Sequence, residues 1–177
     1  HDEPAIEALN VVGLDVSGVG NHEFDEGLAE IYRMMNGGCH PVDGCQDGTP
    51  FLGSVFGYLA ANVFFEGTDD TILPPYEVRK VGNAKIAFIG MTLDGTPLIV
   101  TPSAREGLEF RDEVETVNNL IAKLKRNDIR TFVVLLHEGR PQAARNGIEE
   151  DAGSDDPAAD DDEVPVLVSQ ACQCRGP

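Results

Sequence analysis

Apolar and polar positions along the chain fall into a few short runs, and their spacing predicts helices alternating with strands. Residues 3–10 read as the end of a helix with Ile6 and Leu9 on its apolar side. The run Val11-Val12-Gly13-Leu14, continued by Val16 and Val19, reads as a strand. Phe24, Leu28, Ile31 and Met35 then share one side of a helix over 24–36, which Gly37-Gly38 stops. The nearly all-apolar stretch 58–63 has the character of a buried strand. Residues 76–81 and 85–91 read as a hairpin turning at Gly82-Asn83 and feeding a core strand. A helix opens with Asp112 and Glu115 in capping-box positions, carries Val114, Val117, Leu120, Ile121 and Leu124 at helical spacing, and ends near Asn127. Residues 131–136 form another buried strand with His137 at its end, and 164–169 read as a last strand weakened by Pro165. The order predicts an α/β fold without internal repeats.

Composition divides this pattern. At 177 residues the chain holds one domain with a core and is too short for two comfortable ones. From Pro141 onward Asp, Ala, Gly and Pro dominate, so the expected organisation is a folded unit over 1–140, an acidic disordered segment over 141–163, and a short strand with a cysteine tail over 164–177. A calcium loop in the acidic segment lacks the alternate spacing and central Gly of an EF-hand.

Thirteen basic against 31 acidic residues leave a net charge of −18, and nine of the acids lie between Glu149 and Glu163. Such a chain repels polyanions, so nucleic acid is not an expected partner. A small nucleotide is different, because bound divalent cations reverse the local field. No apolar run approaches the ~20 residues of a membrane span. The chain begins at His1 with neither an initiator Met nor a signal segment, and reads as a piece of something longer or as a processed chain.

The candidate chemistry is concentrated in Gly20-Asn21-His22-Glu23-Phe24-Asp25-Glu26-Gly27, at an expected strand-to-helix turn. Open α/β sheets present ligands at such carboxyl ends of strands. Asn21 is a good helix N-cap, and the acids suit the positive end of a helix dipole. Capping leaves His22 unexplained, a titratable ring among carboxylates. The string resembles the Gly-Asn-His-(Asp/Glu) motif of the calcineurin-like metallophosphoesterases, and in its longer form Gly-Asn-His-Glu-Phe-Asp that of their 5′-nucleotidase branch.

The resemblance, which covers about residues 3–139, implies part of a four-layer sandwich of two mixed sheets flanked by helices. It also implies metal-dependent release of phosphate from nucleotides or other small phosphomonoesters, outside the cytoplasm: extracellular, periplasmic or at the cell wall. Carried over by position, Asn21 is a metal ligand, His22 stands at the leaving-group side, Asp25 orients the His22 ring, and His137 in Leu135-Leu136-His137-Glu138-Gly139 is a second metal ligand. The cofactor implied is a pair of divalent ions, manganese, zinc or similar. The family's Asp-x-His and Gly-Asp-x-x-Asp motifs lie upstream of Gly-Asn-His and are not in this chain. The stretch Val168-Ser169-Gln170-Ala171-Cys172-Gln173-Cys174, where a final Gly-His-Thr-His would fall, holds no histidine. Two ligands are too few for a two-metal centre. Little or no activity is therefore expected of the chain by itself, and the alternative is a non-catalytic binding domain that keeps the fold. Asn62 is read as structural, and His1 and His40 stand in no motif.

Cys39 and Cys45 bracket a Pro- and Gly-containing loop short enough for a disulfide, yet with Cys172 and Cys174 three pairings are open. A metal site from Cys39, His40 and Cys45 is the competing idea, short of the usual four structural ligands. The extracellular habit of the resembled branch favours closure between Cys39 and Cys45.

Overall fold

A computed structural model describes residues 2–45 and 48–137, together with the backbone of Val166–Gln170. The chain runs α1 (Glu3–Val12), β1 (Val16–Gly18), a 3₁₀ turn (His22–Phe24), α2 (Leu28–Asn36), β2 (Gly57–Leu59), β3 (Val63–Phe65), β4 (Tyr76–Val81), β5 (Ala84–Thr92), β6 (Leu108–Phe110), α3 (Glu113–Arg126), β7 (Thr131–His137) and β8 (Val166–Gln170). The acidic segment and the C-terminal cysteines lie outside the described residues.

Side-chain alternation along β5 and β7 builds the layers. Ala87, Ile89 and Met91 of β5 and Phe132 and Val134 of β7 are buried in one cluster with Leu124 of α3, against which Val117, Leu120 and Ile121 also pack. These strands belong to a four-stranded sheet ordered β4-β5-β7-β8, with β5, β7 and β8 parallel and β4 antiparallel. The opposite face receives the parallel pair β1-β2. There the sheets approach through glycine: a Cβ on Gly90 would lie 2.3 Å from the Leu59 carbonyl oxygen, and one on Gly18 would lie 2.9 Å from that of Leu135. Beyond β1-β2, Ile6 of α1 and Ile31 and Met34 of α2 form a second core with Val19, Phe24 and Tyr58. The order is helix, sheet, sheet, helix, and the carboxyl ends of β1, β5 and β7 meet at one edge.

Three expected elements are corrected. Val11 and Val12 belong to the last turn of α1, 89% and 80% exposed, because Gly13 in the left-handed conformation (φ 81°) closes that helix and takes Leu9 and Asn10 carbonyls. The strand before the motif therefore starts at Val16. The helix expected from residue 24 begins only at Leu28, since Gly27 (φ 83°) separates it from the 3₁₀ turn, and Met34 instead of Met35 is its buried methionine. The single strand expected over 58–63 is two: β2 pairs with β1, whereas β3 pairs with β6 in a separate ribbon. The Asn62 amide fixes the switch, donating to the carbonyls of Thr92 (2.6 Å) and Arg111 (3.0 Å) and accepting from Thr92 N–H (2.9 Å).

The hairpin β4-β5 and α3 form where expected. The Asp112 carboxylate accepts the Glu115 N–H at 2.7 Å, as an N-cap does, although Val114 is 64% exposed and lies off the packed side.

Candidate active site at the strand ends

The site grows from the loop leaving β1. Phe24 is the anchor, fully buried and edge-on to Phe110 with ring centroids 5.1 Å apart. Ahead of it the Glu23 carboxylate accepts the Gly20 N–H at 2.6 Å, and Phe24 N–H reaches the Asn21 carbonyl at 3.1 Å. Asn21 is at the start of the 3₁₀ turn, but its side chain caps no N–H. Its Oδ1 meets Nε2 of His137 at 2.8 Å, joining residues 116 positions apart.

That contact depends on Gly20. A Cβ there would stand 2.7 Å from Cγ and Cδ2 of His137 and 2.8 Å from its Nδ1, so the imidazole lies flat where any other residue would put a side chain. Behind the ring, Thr92 pairs in register with His137. Its hydroxyl donates to the Val19 carbonyl at 2.9 Å, tying the ends of β1 and β5 together.

His22 lies outward. Its Nδ1 is 3.0 Å from Oδ2 of Asp25, with the two side chains 69% and 56% exposed. The hydrogen bond to Asp25 raises the imidazole above its ordinary range; burial opposes it, and the charges of Asp25, Glu23 and Asp2 reinforce the upward shift. The fold thus assembles two pairs from the four expected residues, one partly buried (Asn21 with His137) and one exposed (His22 with Asp25).

Sequence reasoning passed over Glu23, Thr92 and the spatial role of Gly20. Glu23 alone had a local signal, an acid three residues after the amide it holds. His40, weighed from the sequence only alongside Cys39 and Cys45, has Glu26 Oε2 3.2 Å from Nε2 and Asp43 Oδ2 3.2 Å from Nδ1. Cys39 and Cys45 are disulfide-bonded, which removes their sulfurs from any metal site with His40.

As a donor set, Asn21 Oδ1 and His137 Nε2 suit a borderline divalent ion. Two ligands at about 2.1 Å and a right angle are about 3.0 Å apart, close to the separation the two atoms have.

No family model matches the chain. Among curated proteins it is 36% identical over 141 residues to the endonuclease YhcR of Bacillus subtilis, covering 80% of this chain and 11% of that one. It is 32% identical over 139 residues to the cell wall protein Lmo0130 of Listeria monocytogenes, covering 77% and 18%. It is 27% identical over 147 residues to a 5′-nucleotidase of Vibrio cholerae, covering 82% and 24%. The chain spans less than a quarter of the length of each of these relatives. Among solved structures, the calcineurin-like phosphoesterase YfkN of Bacillus subtilis superposes with a TM-score of 0.61 at 24% identity, over 81% of this chain and 40% of that one. A 5′-nucleotidase of Staphylococcus aureus, titled putative, superposes with 0.63 at 22%, over 78% and 24%. The chain thus shares the fold of solved calcineurin-like phosphoesterases and 5′-nucleotidases and is similar in sequence to part of proteins named 5′-nucleotidase, with its Gly-Asn-His loop at the ends of parallel strands.

Proposed function

We propose that this chain supplies one metal-ligating edge and the leaving-group side of a phosphoesterase centre that hydrolyses nucleotides or similar phosphomonoesters. The observation that carries the reading is the 2.8 Å meeting of Asn21 Oδ1 with His137 Nε2 on the carboxyl edge of the sheets. Those two atoms would hold a divalent ion, which when bound supplies an activated water and neutralises phosphoryl charge. His22 works from the exposed side. With Nδ1 held by Asp25, the ring keeps Nε2 for substrate, and its raised proton affinity enlarges the protonated fraction near neutral pH. A proton held at Nε2 is what a departing alkoxide needs. Asp25 fixes the ring and its tautomer without touching substrate.

The charge of −18 supports a small substrate over a polyanion, and the disulfide together with a relative named as a cell wall protein supports a location outside the cytoplasm. Phosphodiester cleavage is the competing chemistry, favoured by the relative named an endonuclease. Among the described residues no helix is long and apolar enough to cross a membrane.

Hydrolysis of AMP, an aryl phosphate monoester and an aryl diester in manganese, zinc and cobalt tests the reading. Two donors hold a metal pair poorly, so the chain by itself is expected to be slow or inactive. A version extended upstream with native coding sequence should hydrolyse the monoesters and lose roughly 10²–10⁴-fold in rate on His22→Ala. Full activity in His22→Ala, or an extended protein that cleaves none of the three, would overturn it; the second result would favour the binding-domain alternative.

A further inference from the structure

The single peptide unit between Val19 and Gly20 is held at both of its ends by side chains. At one end the Thr92 hydroxyl donates to the Val19 carbonyl at 2.9 Å. At the other the Glu23 carboxylate accepts the Gly20 N–H at 2.6 Å, the short distance of a charge-assisted bond. Thr92 is fully buried and cannot follow the loop if it moves, because the Asn62 amide accepts the Thr92 N–H at 2.9 Å and donates to the Thr92 carbonyl at 2.6 Å.

We propose that Thr92 and Glu23 are positioning residues that lock this peptide and thereby hold Asn21 and His137 in ligating geometry, a role that rests on the reading of those two residues as a metal-ligating edge. Gly20 supplies no lock of its own. A glycine accepts positive φ about as readily as negative, so the peptide before it can turn over without the penalty a Cβ would impose. Gly20 nevertheless stays outside the positive-φ set. Turned over, the peptide would set the Val19 carbonyl against the Glu23 carboxylate, two acceptors with no proton between them. Gly20 carries the consequence into the site. The His137 ring lies against its Cα, and the next residue is Asn21, whose Oδ1 is 2.8 Å from His137 Nε2.

Burial does not account for these two groups. Val19 and Phe24 anchor the loop in the core, but apolar contact is non-directional and leaves the facing of a peptide undecided. Direction comes from one donor and one acceptor, Thr92 Oγ1 and Glu23 Oε2. Removing either should keep the core and loosen the orientation.

The test uses the full chain labelled with ¹⁵N at one fixed pH and reads the His137 ring nitrogens, first without metal and then with added Zn²⁺. Thr92→Val and Glu23→Ala remove the two holds, whereas Thr92→Ser keeps a donor and Glu23→Gln an acceptor. In the metal-free chain the first pair is expected to shift the His137 Nε2 signal, and the conservative pair to leave it near its wild-type position. Zn²⁺ binding read at His137 should weaken about fivefold to tenfold in Thr92→Val and Glu23→Ala, the loss of one hydrogen bond, and about twofold or less in the conservative pair. A merely structural role would lower the melting temperature and leave the His137 signals alone. Wild-type ring signals in folded Thr92→Val and Glu23→Ala would therefore overturn the proposal. Should Thr92→Val fail to fold, Glu23→Ala decides by itself, since Glu23 is only half-buried. A His137 ring that responds to the variants, but in the wild type is unmoved by millimolar Zn²⁺, would refute the metal-ligating reading and still support the lock.

Discussion

Gly20→Ala isolates the geometry on which the candidate site depends. Gly20 is not among the glycines with positive φ, so alanine meets no backbone penalty there and the whole effect is steric. The added Cβ would be 2.7 Å from two ring carbons of His137, while carbon atoms pack best at about 3.5–4.0 Å. The ring must retreat by close to an ångström. Its Nε2 sits 2.8 Å from Asn21 Oδ1, and a retreat of that size carries the pair past hydrogen-bonding distance.

Overpacking of this kind costs about 1–3 kcal/mol, and the lost hydrogen bond about 0.5–1.5 kcal/mol more. Urea unfolding would read the total directly. The decisive form is a double-mutant cycle with His137→Ala, which removes the ring and hence the clash. Gly20→Ala should cost about 2–4 kcal/mol in the wild-type background and under about 1 kcal/mol in His137→Ala. Equal costs in both backgrounds would refute the argument, because the alanine would then be meeting something other than His137.

Two further expectations follow from burial. Asn62→Ala strips three hydrogen bonds from a fully buried amide and leaves backbone groups of Thr92 and Arg111 unmatched, so it should lose about 3–5 kcal/mol in denaturant melts, with Asn62→Asp no better. Tyr58 is 7% exposed, and burial first, then the charges of Glu23 and Asp2, raise its hydroxyl well above the ordinary tyrosine range. The folded state therefore binds the phenolic proton more tightly than the unfolded state, and stability falls as pH rises above about 10. Tyr58→Phe should flatten that alkaline limb in a melting series from pH 8 to 11, and an unchanged limb would show that the hydroxyl ionises without penalty.

What could be read from the sequence depends on how far away the cause of each feature lies. Helix α3 was legible because its cap, Asp112 on Glu115, and its buried side, Val117, Leu120, Ile121 and Leu124, are both local. Asn21, His22 and Asp25 were legible as a motif. The break between β2 and β3 was not, since Ala60 and Ala61 continue an apolar run and what divides it is the bonding of Asn62 to Thr92 and Arg111, 30 and 49 positions on. Val11 and Val12 misled for the opposite reason: hydrophobicity outweighed the stop at Gly13, and both side chains point to solvent. The glycines carry the point furthest. Gly18, Gly20 and Gly90 all lie outside the positive-φ set, so no turn requires them. Each is small because a distant group lies against its Cα: the Leu135 carbonyl, the His137 ring and the Leu59 carbonyl, respectively. Two of these contacts set the spacing of the sheets and the third seats the histidine, so layer packing and site geometry are one constraint. A substitution that spreads the sheets at Gly18 or Gly90 should therefore disturb Asn21 and His137 without touching either.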